Sequence, residues 1–249
     1  MMYNPYSLIG KTILVTGASS GIGRATAIEC SKMGATIILT GRNEDRLKET
    51  LKLLAGDGHQ YFPADLNTEE QIKQLCYSIP EINGLAHCAG VSSLMPIMGL
   101  NEQKLHNVFC TNYYAPTLLT KHLIKAKKLQ LGASLVYVGS ISGISNVATA
   151  LSAYGSSKSA LNSFVQYAAL ELSGKQIRCN SVLPGRVETT LLQNQTMSNE
   201  DIQKDIERYP LKRYGTSIEV AQSIVYLLSD ATKWITGTSI TIDGGRSLV

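Results

Sequence analysis

Short apolar runs and amphipathic stretches take turns along the chain. Thr12-Ile13-Leu14-Val15 leads into a glycine-rich segment and a helical pattern from Arg24 to Met33, and Thr36-Ile37-Ile38-Leu39 into a charged helix from about Glu44 to Leu54. His59 to Phe62 and Gly84 to Cys88 read as two more strands, with Glu69 to Ser78 helical between them. Leu135-Val136-Tyr137-Val138, Arg178 to Val182 and Ser239 to Ile242 supply the later strands. These runs are apolar throughout rather than alternating, as strands covered on both faces should be. Strand–helix alternation of this kind predicts an α/β fold, a doubly wound parallel sheet with helices on both faces. No repeat, low-complexity tract or Pro/Ser linker breaks residues 1–249, so one domain is expected. The stretch from about 190 to 214 departs from the rhythm, polar at Gln193-Asn194-Gln195 and Ser198-Asn199-Glu200-Asp201 before a helical stretch and Pro210. It is either a surface helix with loops or a lid over the carboxyl ends of the strands, where open α/β sheets bind ligands.

Composition narrows the class. The chain is 44% hydrophobic and 17% charged, the profile of a globular protein rather than a disordered or fibrous one. Its 23 Lys and Arg against 19 Asp and Glu leave +4, too weak to imply nucleic acid but suited to a phosphorylated ligand. No run approaches the roughly 18 to 20 apolar residues of a membrane helix, and Met1-Met2-Tyr3-Asn4-Pro5-Tyr6 lacks the layout of a signal peptide. Cys30, Cys76, Cys88, Cys110 and Cys179 are scattered, with no C-x-x-C pair. They read as buried thiols of a reducing compartment, which makes the cytoplasm the expected location.

Candidate chemistry begins after the first strand, at Thr16-Gly17-Ala18-Ser19-Ser20-Gly21-Ile22-Gly23. Glycines there permit a tight turn and let backbone N–H groups approach a pyrophosphate, to which a helix N-terminus adds partial positive charge. The spacing G-x-x-x-G-x-G differs from G-x-G-x-x-G, and no Lys-Ser/Thr follows as a P-loop requires. Alone the motif is moderately specific; its place between strand and helix raises it above a merely structural turn. The end of the second strand should face an adenosine ribose, where an acid would accept from the hydroxyls and repel a 2′-phosphate. The chain reads Thr40-Gly41-Arg42-Asn43 instead. Arg42 offers a planar fork to a 2′-phosphate, the plain alternative being a solvated arginine, so NADP(H) is expected over NAD(H).

Tyr154 and Lys158 stand one helical turn apart, on one face of a helical stretch. A phenol with a pKa of about 10 is a poor base at neutral pH. A nearby ammonium and the positive nicotinamide of an oxidised cofactor favour phenolate while desolvation opposes it. A lowering by roughly three units asks for about 4 kcal/mol. Because Y-x-x-x-K arises often by chance, its surroundings decide. Leu135 to Val138 leads through Gly139 to Ser140, whose hydroxyl suits a carbonyl oxygen, and Asn112 sits in an otherwise helical stretch, where an interior Asn is a mild liability. That liability points to a hydrogen-bonding role, structural or catalytic.

With these residues in this order, the chain resembles the short-chain dehydrogenase/reductase family in its compact branch. The resemblance runs over nearly the full length, through Thr16 to Gly23, Asp65-Leu66, Ala89-Gly90, Asn112, Ser140, Tyr154, Lys158, Asn180-Ser181-Val182-Leu183-Pro184-Gly185, Thr189, Thr236-Gly237 and Asp243-Gly244-Gly245. It implies a single-domain Rossmann fold with a seventh parallel strand near the C-terminus, and assembly as a homotetramer or homodimer. Tyr154 would then be the acid/base and Ser140 would polarise the carbonyl. Lys158 would bind the nicotinamide ribose and lower the Tyr154 pKa, and Asn112 would help hold a water for a proton relay. Thr16, Gly17, Ser19, Ser20, Gly21, Ile22 and Gly23 would cradle the cofactor, with Asp65 and Leu66 at the adenine and Ala89-Gly90 beneath it. Pro184, Gly185, Val187 and Thr189 would flank the nicotinamide and its carboxamide.

Two positions depart from the family pattern. His87-Cys88-Ala89-Gly90 stands where the family usually has Asn-Asn-Ala-Gly. His87 is expected to be structural, and with His59, His106 and His122 showing no ligand spacing no metal is expected. Ser140 lies 14 residues before Tyr154, one more than the family leads one to expect, and Ser142 lies 12 before it; Ser140 is preferred because it ends the strand. The expected activity is an NADPH-dependent carbonyl reductase acting on a ketone, with a 3-oxoacyl thioester the leading specific substrate. Tyr209-Pro210-Leu211-Lys212-Arg213-Tyr214-Gly215 followed by Glu219-Val220-Ala221 resembles that subgroup, and also many sugar and alcohol dehydrogenases. Lys121, Lys125, Lys127 and Lys128 either form a strip for an acidic carrier protein or are solvated helix lysines. The alternatives are a sugar, polyol or hydroxysteroid dehydrogenase and, from another class, a non-catalytic dinucleotide-binding sensor or scaffold. Pocket walls are expected from Ser92 to Met95, Ile144 to Leu151 and Arg186 to Met197, where Arg186 either reads a substrate carboxylate or points to solvent.

Overall fold

The apolar runs all become strands, and the segments between them wind over both faces of one sheet. The computed structural model describes residues 3–189 and 198–249. In its first half β1 (Thr12–Thr16), α1 (Gly21–Lys32), β2 (Thr36–Gly41), α2 (Glu44–Leu51), β3 (Gln60–Pro63), α3 (Glu69–Ser78) and β4 (Ile82–His87) alternate. Then come α4 (Glu102–Phe109), a π-helical turn over Cys110–Tyr114, α5 (Ala115–Lys125), β5 (Leu129–Val138), α6 (Ser152–Leu172) and β6 (Arg178–Pro184). A two-residue strand, β7 (Val187–Glu188), precedes the undescribed stretch 190–197; after it follow α7 (Asn199–Glu207), β8 (Gly215–Thr216), α8 (Ser217–Leu228) and β9 (Ser239–Ile242).

The main sheet has seven parallel strands in the order β3-β2-β1-β4-β5-β6-β9. The chain winds outward from β1 to β3, then returns to the middle and winds the other way from β4. At the carboxyl ends of β1 and β4 the following segments therefore leave towards opposite faces, and a crevice opens between them. Although the strands are apolar throughout, successive residues still divide between two cores. Leu14, Ile38, Leu85 and Leu135 pack against Ile72 of α3, Leu119 of α5 and Leu161 of α6. Ile13, Ile37, Val136 and Val182 pack against Ala27 and Cys30 of α1 and Ile224 of α8.

Boundaries differ from the sequence expectation where long-range geometry intervenes. β5 starts at Leu129, not Leu135, because its register against β4 slips: Ile82 pairs with Leu129 but Gly84 with Ser134. The extra residues carry exposed Leu131. α1 starts at Gly21, so the last glycines of the turn lie inside the helix. The parallel pair β7–β8 was not legible as strands, since two residues hold no periodicity. Thr216 and Glu219 form a capping box at the head of α8, which gives Glu219 in the Glu219-Val220-Ala221 pattern a structural role. All five cysteines are free, with Cys30, Cys76 and Cys179 buried but Cys88 and Cys110 partly exposed, contrary to the uniform burial expected. Among the described residues no helix is long and apolar enough to cross a membrane.

Candidate active site

The crevice takes its shape from close backbone approaches. Thr16 is fully buried at the end of β1, and its hydroxyl accepts the N–H groups of Cys88 and Ala89, both at 3.1 Å. Thr16 thus braces the turn from below. Gly17 has φ of +64°, and a Cβ on it would lie 2.9 Å from Ala89. A Cβ on Gly23, in the first turn of α1, would lie 2.3 Å from the Gly17 carbonyl oxygen. Arg24 ties the turn to α2: its guanidinium donates to the Ser19 carbonyl at 2.8 Å and pairs with Glu49 at 3.1 Å. Ser20 caps α1 without a side-chain hydrogen bond, so no side chain from the cap competes for the helix's first N–H groups.

Over this turn lies a crevice of about 290 Å³, lined by Gly17, Ser19, Ser20, Gly21, Ile22, Gly23, Arg42, Asp65, Leu66, Ala89, Gly90 and Thr189. Its narrow glycine floor and helix N-terminus suit a pyrophosphate. Arg42 is exposed on its wall, with no hydrogen bond or ion pair to a described residue. A second cleft of about 360 Å³ shares Ile22, Cys88, Gly90, Val91 and Thr189 with the first, so the two form one continuous trough. Ser140, Tyr154, Lys158, Pro184, Gly185 and Val187 line this second part.

Tyr154 and Lys158 come from the first turns of α6, and Ser140 from just beyond β5. Lys158 is buried and its Nζ donates to the Val138 carbonyl at 2.8 Å. Ser140 accepts the Ser142 N–H at 3.1 Å and hydrogen-bonds the Tyr154 phenol, so of the two candidate serines it is Ser140 whose hydroxyl meets the tyrosine. Ser142 instead bridges to Asn146 in the adjoining loop. Tyr154 keeps part of its surface open to the cleft, yet burial of the rest pushes its pKa up, against the Ser140 hydrogen bond. In the protein alone the phenol therefore holds its proton more firmly; the lowering expected of Lys158 together with an oxidised nucleotide concerns the loaded site. Burial pushes Lys158 down, to about 8.

Asn112 lies in the π-helical turn, where the Ala115 N–H reaches back five residues to the Cys110 carbonyl. Such turns are frequent at functional sites. Its side chain accepts the Val91 N–H at 2.9 Å and donates to the Val91 carbonyl at 2.9 Å and to Ser157 Oγ at 3.0 Å. Both amide hydrogens are thereby used, and the chain after Gly90 is pinned to α6. A Cβ on Gly90 would stand 3.3 Å from both Asn112 Oδ1 and Lys158 Nζ, so the two polar groups meet across a glycine.

Other expectations fall into place or shift. His87 is buried, stacks on Tyr137, and is pushed down to about 3 by burial and by Lys158; its Nε2 has no hydrogen-bond partner among the described residues. Among the described residues no cluster of metal-ligating side chains exists. Arg186 is not a solvent-pointing side chain: it pairs with Asp205 at 2.9 Å and lies over the Tyr214 ring. The four lysines run along α5 and past its end, with Lys121 pairing with Glu69 at 3.2 Å. Ala115 at the start of α5 touches the crevice, whereas Lys128 bonds to Ile82 at the amino end of β4. Lys121 and Lys125 lie within α5, and Lys127 and Lys128 beyond its end. Of the segment 190–214, residues 190–197 lie outside the described residues; α7 and the turn after it place Asp205, Arg208 and Tyr209 on the cleft wall. Asp205, Arg208 and Arg246 were not singled out in the sequence, though Asp205 and Arg208 fall in the 190–214 stretch, as Tyr209 does, and Arg246 directly follows Asp243-Gly244-Gly245.

Comparison with known proteins agrees with this geometry. The family model described as enoyl-(acyl carrier protein) reductase matches residues 17–247. A tropinone reductase homolog of Arabidopsis thaliana is 32% identical over 96% of this chain and 91% of its own length. A 3-oxoacyl-acyl-carrier-protein reductase of Buchnera aphidicola is 30% identical over 94% of this chain and 96% of its own. Among solved structures, a short-chain type dehydrogenase/reductase from Mycobacterium ulcerans superposes with a TM-score of 0.89 at 32% identity, covering 97% of this chain and 91% of that one. The Pseudomonas aeruginosa RhlG/NADP active-site complex superposes with a TM-score of 0.91 at 27% identity, covering 99% of this chain and 100% of that one. The chain belongs to the short-chain dehydrogenase/reductase family, oxidoreductases that bind a nicotinamide dinucleotide.

Proposed function

We propose that the protein is an NADPH-dependent carbonyl reductase, moving hydride between nicotinamide and a ketone. The observation that carries this is the Ser140–Tyr154–Lys158 group on the wall of a trough whose other half carries exposed Arg42, which has no acidic partner among the described residues. The glycine floor admits the dinucleotide: a side chain at Gly17, Gly23 or Gly90 would fill space or crowd its neighbours. The bound nucleotide supplies the hydride. Ser140 Oγ holds the carbonyl oxygen, and Tyr154 Oη gives that oxygen its proton. The raised pKa of the free phenol suits this acid role, since it arrives protonated at neutral pH. Lys158 holds the nicotinamide ribose and, with Asn112 beside it across Gly90, a water that returns a proton to Tyr154.

Arg42 takes the 2′-phosphate, supported by its exposure and freedom from any acid. Relatives named as 3-oxoacyl-acyl-carrier-protein reductases make a 3-oxoacyl thioester the first substrate to try. The same residues run in reverse on a sugar or polyol, and relatives named L-xylulose reductase and glucose 1-dehydrogenase keep that reading beside it. A scaffold without turnover has no feature in its favour, since Asn112, Ser140, Tyr154 and Lys158 are all present. α7 with its following turn acts as a lid, on the evidence of Asp205 and Arg208 at the cleft. Exposed Tyr114, Tyr167 and Leu170 support assembly as a homotetramer or homodimer, which light scattering checks.

One kinetic experiment tests the core of this. Tyr154→Phe should lower kcat for ketone reduction by about a thousandfold. Arg42→Ala should lower kcat/KM for NADPH by about thirtyfold while leaving NADH nearly unaffected. A wild type that prefers NADH, or full turnover in Tyr154→Phe, overturns the reading.

A further inference from the structure

We propose that the substrate cleft carries an oxyanion site at its outer end, so that the ketone substrate bears a carboxylate or phosphate away from its reacting carbon. The proposal rests on the carbonyl-reductase reading and names the substrate class of the same site.

The cleft is unequal in charge. Its described lining holds four cations, Lys158, Arg186, Arg208 and Arg246, and one carboxylate, Asp205. That carboxylate is already engaged: it accepts from Arg186 at 2.9 Å and from the Tyr214 hydroxyl at 2.9 Å. Lys158 sits at the reacting end, bonded to Val138. The cation left without a described side-chain partner is Arg208, which precedes Tyr209 on the cleft wall. Arg246 is only 7% exposed, lies over the Tyr209 ring and has its guanidinium engaged by the Val249 oxygen at 3.0 Å. Arg208 is exposed on the cleft wall and has no side-chain partner among the described residues.

A cation-lined cleft with low-dielectric walls concentrates anions at its mouth. Guanidinium forks match carboxylate and phosphate oxygens in a bidentate way that water does not. A neutral sugar or steroid gains nothing from such a wall. A keto acid does, and so does the phosphate of a carrier-linked thioester; these are two sources of one chemistry.

The test compares matched pairs. Levulinate and 5-oxohexanoate are set against their methyl esters, and acetoacetyl-4′-phosphopantetheine against acetoacetyl-pantetheine, with NADPH oxidation as readout. The charged member of at least one pair should show kcat/KM at least about tenfold higher, the worth of one charge-assisted hydrogen bond. Preference in the acid pairs alone assigns a small carboxylate; preference in the thioester pair alone assigns a carrier phosphate. In Arg208→Gln the ratio should fall to about one, and in Arg208→Glu below one. Equal turnover within every pair, or a ratio unmoved by Arg208→Glu, overturns the anion site. If no carbonyl is reduced at all, the reductase reading fails instead. The site is then read by binding: a Tm raised by levulinate in wild type but not in Arg208→Glu upholds it, and no shift in either overturns it.

Discussion

Lys158 is the residue whose environment works hardest against its chemistry. An ammonium in an unfolded chain holds its proton to about pH 10.4; folded, burial brings it to about 8. Below pH 8 both states are protonated and the desolvation cost is fully present. Between about 8 and 10 the unfolded chain binds more protons than the folded one, so this group adds stability as pH rises. The raised thiols of Cys30, Cys76, Cys88 and Cys179 act the opposite way, because unfolded cysteines ionise first. The group's own effect is isolated by difference: from pH 8 to 10 the wild type should lose less Tm than Lys158→Met, by an amount equivalent to about 2 kcal/mol. Parallel melting curves would show that the lysine is not desolvated. Sequence spacing placed Tyr154 and Lys158 on one face of a helix but did not show how firmly the phenol of the protein alone holds its proton. The spacing records which groups are neighbours; it does not record the desolvation that burial in the fold brings to the phenol, against which the Ser140 hydrogen bond acts.

At the scale of the element, the glycine turn was legible because its constraint is local, and the reason for its strictness was not. The spacing marks a turn between strand and helix, yet what makes Gly17 intolerant is Ala89, more than seventy residues away, and what makes Gly23 intolerant is the Gly17 carbonyl. In Gly23→Ala the methyl would lie 2.3 Å from that oxygen, backbone against backbone, so the turn must open. NADPH affinity should weaken about tenfold or more, measured by fluorescence titration, with a lower Tm. Gly174→Ala, where a Cβ meets nothing within 4 Å, is the control and should bind normally. Equal affinity in the two variants would mean the loop does not cradle the nucleotide. The π-helical turn at Asn112 shows the same limit. An amide in a helical stretch hinted at a hydrogen-bonding task, but its partners Val91 and Ser157 come from two other elements that only the fold brings together.

Across the whole molecule, the last strand carries the site's outer wall, and polar side chains rather than its short apolar run hold it in place. Asn180 in β6 is fully buried; its amide donates to the Ile235 carbonyl at 3.0 Å and accepts the Thr238 N–H at 3.1 Å. Ser181 and Ser239 share the Asn162 carbonyl oxygen of α6 at 2.8 and 2.7 Å, joining helix and both strands. Beyond β9, Asp243 packs against Gly185 so closely that a Cβ there would approach it to 3.1 Å, and Arg246 follows on the cleft wall. Loosening β9 should therefore be felt at the nicotinamide turn and not only in stability. Asn180→Ala leaves the half-buried Thr238 N–H without its partner and takes from the Ile235 carbonyl its shorter bond, Arg178 still reaching it at 3.4 Å, a cost of about 2 kcal/mol, or roughly 4 to 8 °C in Tm for a chain of this size. Because Pro184-Gly185 loses its backing as well, NADPH should bind the variant more weakly, and saturating nucleotide should raise its Tm less than it raises that of the wild type. A variant that melts at the wild-type temperature would show that the Asn180 bracket does not hold the strand. A variant that melts low but binds NADPH normally would show that β9 stabilises the sheet without setting the site.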